Sequence, residues 1–167
     1  MLRIAENVQC HTFSGSFKSV PKHKLRFRPS VYAVIIHNSQ LLLVENRLAY
    51  KDALPGGSIE LGETTYETLK REVREEIGVE VEVERFLHFE QIFFYFDPLD
   101  EAYHGLLFYY LCSPTTREFA EGWRMNDLEG NPKWISIADL SSDNLFNGET
   151  IMKLLQSLQE EESNTTP

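Results

Sequence analysis

Apolar and polar positions alternate with clear periods along most of the chain. Val31-Tyr32-Ala33-Val34-Ile35-Ile36 is an unbroken apolar run, and Leu41-Leu42-Leu43-Val44 is a second. The polar His37-Asn38-Ser39-Gln40 between them reads as a tight turn, so Leu25 to Val44 predicts a hairpin whose strands are largely buried. A loop follows and ends in Leu54-Pro55-Gly56-Gly57. From Thr64 to Ile77 the period changes. Tyr66, Leu69, Val73 and Ile77 recur at intervals of three and four, which is the spacing of one helix face, and Gly78 stands where helices commonly stop.

Beyond Gly78, Val79, Val81 and Val83 alternate with Glu80, Glu82 and Glu84, predicting a half-exposed strand. Phe86–Phe96 and Tyr103–Cys112 predict two aromatic-rich strands, separated by Asp97-Pro98-Leu99-Asp100. Trp134 to Ile137 is a short strand, and Ala138-Asp139-Leu140 begins a helical turn. A last helix over about 147–160 carries Ile151, Leu154, Leu155 and Leu158 on one face. Residues 1–23 are polar and mixed, with room for one short strand. One domain over 1–167 is expected, with about 1–20 and 160–167 peripheral or frayed. Mostly antiparallel or mixed strands with helices inserted between them predict a sheet packed by helices on both sides.

Composition agrees with that picture. The 167 residues are 42 % hydrophobic and 25 % charged, as in ordered globular domains rather than disordered chains. The net charge of −10 argues against a duplex-DNA binder, which needs a basic face. It does not exclude an anionic substrate, because a bound cation can invert the local field. The charge is also uneven. Residues 1–30 hold six basic side chains against Glu6 alone, leaving 10 basic and 25 acidic residues beyond them. Two cysteines, Cys10 and Cys112, do not make a disulfide framework, and no run suits a membrane span or a secretion signal. A cytoplasmic protein is expected.

The chemistry gathers around the first helix. Glu72 and Glu76 lie four residues apart and share a helix face, flanked by Glu75. Carboxylates so close repel one another, and a hard cation such as Mg²⁺ or Mn²⁺ would relieve the repulsion. Taken alone, Arg71-Glu72-Val73-Arg74-Glu75-Glu76 reads more simply as a solvated face, paired with Lys70, Arg71 and Arg74. The wider spacing changes the odds: Gly57, five residues, Glu63, seven residues, Arg71-Glu72, an aliphatic, any residue, Glu75-Glu76, any residue, Gly78, an aliphatic. A random window would fit on the order of once in a billion. The chain resembles a Nudix hydrolase of the MutT-like kind, with a complete Nudix box over Gly57–Val79. Leu54-Pro55-Gly56, the strand order, the Trp134-Ile135 strand and the closing helix extend the resemblance. Asp52 stands where many members carry tryptophan.

The resemblance implies an α/β (α+β) fold: an α/β/α sandwich with a mixed β-sheet flanked by helices. It implies a Mg²⁺-dependent (or Mn²⁺-dependent) pyrophosphohydrolase that cleaves a nucleoside diphosphate linked to another moiety. Glu72, Glu75, Glu76 and the Gly57 carbonyl resemble the metal ligands. Arg71 resembles the residue that orients neighbouring glutamates, and Glu63 the loop carboxylate that pairs with it or helps a second metal. The base that accepts water's proton is Glu75 or a glutamate outside the box, from Glu90, Glu101, Glu118, Glu121 and Glu129.

Candidate substrate contacts are Arg26, Arg28 and Arg47, beside the first strands, and Tyr95. The last lies near where some dinucleoside-polyphosphate hydrolases of the family carry a tyrosine and ADP-ribose hydrolases a proline. Most other aromatics read as core, and His88 and His104 as structural histidines. The expected partner is a small nucleotide derivative, with no duplex DNA and no membrane; capped or triphosphorylated RNA and a homodimer stay open. The alternative is a non-catalytic nucleotide- or metabolite-sensing module on the same fold, which would be expected to lose box glutamates.

Overall fold

A computed structural model describes residues 6–12, 14–47, 50–115 and 129–165. In chain order they form β1 (Asn7–His11), β2 (Phe17–Pro21), β3 (Leu25–His37), β4 (Gln40–Asn46), β5 (Lys51–Ala53), β6 (Gly56–Ser58), α1 (Thr65–Ile77), β7 (Val81–Phe96), β8 (Glu101–Pro114), β9 (Glu129–Ser136) and α2 (Gly148–Thr165). The strands make one mixed sheet in the order β2-β1-β7-β8-β3-β4-β5, with β6 paired to β3 and β9 to β4. The β3–β8 and β1–β7 pairs are parallel and the rest antiparallel.

Period-two alternation sorts the apolar residues into two layers. Val31, Ala33 and Ile35 of β3, Leu42 and Val44 of β4, and Tyr110 and Cys112 of β8 pack against Leu69, Val73 and Ile77 of α1. Their neighbours Val34, Leu41, Leu43, Leu107 and Tyr109 face the other way, against Ile151, Leu155 and Leu158 of α2. A sheet with both faces buried needs unbroken apolar strands, which is why the central hairpin reads as continuous runs. This is the expected α/β/α arrangement.

Local chemistry ends the elements where the sequence suggests. Asn38 and Ser39 both take positive φ, 48° and 58°, the two-residue hairpin turn whose twist matches the strands. Thr64 caps α1 in a reciprocal box with Glu67, and Gly78 closes it in the left-handed conformation at φ 66°.

Four differences from expectation have physical causes. Val79–Val83 and Phe86–Phe96 are not two strands: β7 runs from Val81 to Phe96, and its register against β8 shifts between Val83 and Arg85 and again between Phe86 and His88. The second shift lets Leu87 pack with the α2 layer. β9 starts at Glu129, well before Trp134; Pro132 is tolerated because, among the described strands, β9 pairs with β4 alone. β1 and β2, within the stretch expected to be peripheral or frayed, form an ordered edge hairpin: Cys10 and Val20 are buried against Tyr95 and Ala102. Residues 160–165 continue α2.

Both cysteines are free and buried, which pushes the Cys10 thiol up and the Cys112 thiol up to about 12. Neither is expected to be alkylated by iodoacetamide at pH 7.5 in the native protein, and both should be after unfolding in guanidinium, as counted by intact mass. Among the described residues no helix is long and apolar enough to cross a membrane.

Candidate active site

The first turn of the site is backbone against backbone. β6 pairs with β3 through Ser58↔Ser30, Gly57↔Val31 and Gly56↔Tyr32. This holds the two glycines over α1. The Gly56 N–H donates to Glu76 Oε2 at 2.7 Å, linking β6 to the helix. Gly57 lies so close to Glu72 that a Cβ there would stand 2.5–2.7 Å from all three carboxyl atoms. Glycine is what allows that approach.

Arg71 organises the acids around it. Its Nε and Nη2 donate to the two oxygens of Glu63 at 2.7 and 2.9 Å, a bidentate pair. Its Nη1 reaches Glu72 at 3.0 Å and Glu75 at 3.2 Å, and Nη2 also donates to the Ser58 carbonyl at 3.3 Å. Glu63 further accepts from the Thr68 hydroxyl and the Glu60 N–H. The Arg71 guanidinium, helped by those two donors, holds the Glu63 carboxyl down at about 2. Glu63 in turn raises Arg71 further above its ordinary range.

A carboxylate whose pKa is depressed in the folded state stabilises the fold fully above its unfolded value, near 4.5, and loses that contribution as pH falls toward 2. Arg71→Met in metal-free buffer should therefore melt below wild type at pH 6, with the gap closing between pH 4.5 and 2. A gap unchanged across that range in thermal melts followed by circular dichroism would refute the pairing.

The box carboxylates divide by environment. Glu76 is only 9 % exposed, and it and Glu72 line a cavity of about 340 Å³. The Glu75 side chain is 60 % exposed. Together with the Gly57 carbonyl these groups form an all-oxygen donor set suited to a hard divalent cation, and the cradle between Gly57 and Glu72 leaves no room for a side-chain carbon. Among the described residues, no three acidic, imidazole or thiol groups already converge as a metal site; Arg71 holds Glu72 and Glu75 instead.

Of the candidate substrate contacts, Arg28 lines the cavity, with Nε donating to Ser58 Oγ at 2.6 Å and Cζ 5.4 Å from the Tyr103 ring centroid. Arg47 is exposed and Arg26 pairs with Glu101; neither lines the cavity. Tyr95 is not brought to the cavity. It is buried on the opposite face of β7, under Lys18, with its hydroxyl donating to Asp100. Its neighbours Ile92, Phe94 and Phe96 face the cavity instead, because side chains alternate along a strand. Phe146, before α2, completes that wall and carried no motif to announce it.

Of the outlying glutamates, Glu90 and Glu101 do not line the cavity. Glu90 accepts from Tyr109 and Thr150, and Glu101 from Tyr103. Glu118, Glu121 and the Glu129 side chain fall outside the described residues. His104 contacts Gln91, Phe93 and Phe27, and His88 lies beside Tyr109. Asp52, in place of the family's tryptophan, pairs with Lys133 of β9 at 2.7 Å.

The family model of the NUDIX domain matches residues 26–154. No protein of curated function matches the sequence. Among solved structures, a NUDIX hydrolase from Nitrosomonas europaea aligns with a TM-score of 0.64 over 96 % of this chain and 89 % of its own, at 15 % identity. An ADP-ribose pyrophosphatase from Streptococcus suis 89-1591 gives 0.60 at 21 % identity, covering 84 % of this chain and 94 % of its own. A UDP-X diphosphatase gives 0.60 at 24 % identity over 81 % of this chain, which spans 64 % of that protein's length. Likenesses at such low identity speak for the fold; the matched domain and the intact Gly57–Val79 pattern it contains place the chain in the Nudix hydrolase family.

Proposed function

We propose that this enzyme hydrolyses the pyrophosphate linkage of a nucleoside diphosphate joined to another moiety, with Mg²⁺ or Mn²⁺ held by the Gly57 carbonyl, Glu72, Glu75 and Glu76. The observation that carries the reading is how the box is knit together beside the cavity: Gly57 against Glu72 and Gly56 on Glu76 at its wall, and Arg71 joining Glu63, Glu72 and Glu75. An ion held by these residues would supply charge neutralisation at the phosphates and activation of water.

The chain's own groups do the rest. Arg71 pairs with three of the box carboxylates, Glu63, Glu72 and Glu75, and orients them by charge-assisted hydrogen bonds. Glu75, exposed and tethered by Arg71, accepts the proton of the attacking water. Arg28, at the cavity wall, offers a fixed positive charge to a phosphate.

A substrate panel tests this. Nucleoside triphosphates, ADP-ribose, dinucleoside polyphosphates, NADH, coenzyme A and triphosphorylated RNA would each be incubated with Mg²⁺ or Mn²⁺, and the products identified by mass. Metal-dependent cleavage of a phosphoanhydride in at least one small nucleotide derivative is expected. No turnover of any member would overturn the proposal.

A further inference from the structure

Alternate residues of a strand share one face, and Arg28, Ser30 and Tyr32 of β3 all line the cavity. Ser30 stands apart from its two neighbours. It is fully buried, and among the described residues its hydroxyl has no hydrogen-bond partner. Burying a hydroxyl without a partner is costly, and folded proteins rarely leave one. Of the other uncharged polar side chains of the cavity, Ser58 accepts from Arg28 Nε at 2.6 Å, Tyr103 donates to Glu101, and Asn46 has a contact of its own. The Tyr32 hydroxyl, whose pKa burial raises, is near enough for Ser30 to influence it, but the two do not meet in hydrogen-bond geometry. Across the strand pair Ser30 faces Leu107 of β8, which has no polar side-chain atom to offer.

We infer that the Ser30 hydroxyl binds a hydroxyl of the pentose in the substrate's nucleotide, and so makes the cavity select a hydroxylated sugar. The inference rests on the hydrolase reading above and adds what the site recognises next to the phosphates. Position carries the choice of a sugar. Ser30 pairs with Ser58 across β3 and β6, so it stands one strand spacing, about 4.8 Å, from the strand of Gly56 and Gly57. Ile92 and Phe94 of β7 lie on the other side of the cavity, beyond β8. With the phosphates at the box, the group one strand along is the sugar attached to them, and the polar atoms that a pentose offers are mainly hydroxyls. A serine hydroxyl suits that partner. It can donate and accept, and it turns about a single bond without moving the backbone.

Binding can be measured apart from turnover, with ligand and protein each trimmed by a hydroxyl. Isothermal titration of the whole protein, with Mg²⁺ in the buffer, compares AMP, GMP, CMP and UMP with their 2′,3′-dideoxy counterparts. At least one nucleotide is expected to bind about tenfold tighter than its dideoxy form, as one good hydrogen bond provides. Ser30→Ala should bring that pair within about twofold, by weakening the nucleotide and leaving the dideoxy form unchanged. Melting curves without ligand separate this from a structural role. A buried hydroxyl that has no partner in the free protein does not stabilise it, so Ser30→Ala should melt no lower than wild type. A lower melting temperature, or a preference that survives Ser30→Ala, would overturn the inference. So would equal binding of every nucleotide and its dideoxy form, or no binding of any. If the preference appears and is lost in Ser30→Ala while the substrate panel shows no cleavage, the role of Ser30 stands and the hydrolase reading falls. If cleavage occurs but the preference is absent or survives the substitution, the role of Ser30 alone falls.

Discussion

Glu76→Gln is expected to lower turnover by about a hundredfold or more while leaving the fold intact, and Glu75→Gln to do the same. The two substitutions reach that result by different routes. Glu76 is buried and accepts the Gly56 N–H, so a glutamine side-chain carbonyl can keep that hydrogen bond and the shape of the cavity floor. What it removes is one of the three carboxylate charges lining the cavity, beside Glu60 and Glu72. Without metal, loss of that charge relieves repulsion with Glu72, so the apo variant should melt no lower than wild type. With metal, it should need more Mg²⁺ for half-maximal rate. Glu75 is mostly exposed and tied to Arg71 by a single oxygen, so glutamine there should leave stability almost untouched and act on kcat. Steady-state kinetics across a Mg²⁺ titration, with melting curves for both variants, check this. Near-wild-type turnover in both would remove the box from the chemistry.

The parts of this fold that could be read in advance are those where one local rule decides. The α1 stripe and its Gly78 stop need only helical period and a left-handed cap. The β3–β4 hairpin needs only two apolar runs and a short polar turn. The box is legible because the close approach of Gly57 to Glu72 and the reach of Arg71 to Glu63 impose residue types at fixed spacing. The substrate wall is different. Whether Tyr95 or Phe94 faces the cavity depends on the parity of β7, and two register shifts upstream make that parity unreadable without β8 beside it. Phe146 is fixed by the backbone of Asp52, 94 positions earlier. β9 hides because Glu-Gly-Asn-Pro looks like a turn, and only pairing with β4 makes it a strand.

Gly56→Ala and Gly57→Ala are expected to fail in opposite ways, although the two residues are adjacent. At Gly56 a Cβ would fall on the Val31 carbonyl oxygen and 2.8 Å from Tyr32 Cα, both of them β3 backbone, and φ is +145°. No rotamer relieves that clash. Either β6 peels from β3 or the strand bends, at a cost of about 3 kcal/mol or more once backbone strain adds to the overlap. At Gly57 the added Cβ meets only the end of the Glu72 side chain, at 2.5–2.7 Å, and φ is not positive. Glu72 can swing aside at the expense of its contact with Arg71, so stability should fall by less than at Gly56. Turnover should nevertheless drop about a hundredfold, because the carboxylate is displaced by roughly an ångström or more from where Arg71 Nη1 holds it. Melting temperature and kcat measured on both variants separate the two outcomes: a folding defect at Gly56, a chemical defect at Gly57. Adding Glu72→Asp to Gly57→Ala shortens the side chain by one methylene and removes the overlap; it should lift any residual stability loss without restoring turnover. A Gly57→Ala enzyme with wild-type kcat would mean that the approach of Glu72 to β6 has no part in the reaction.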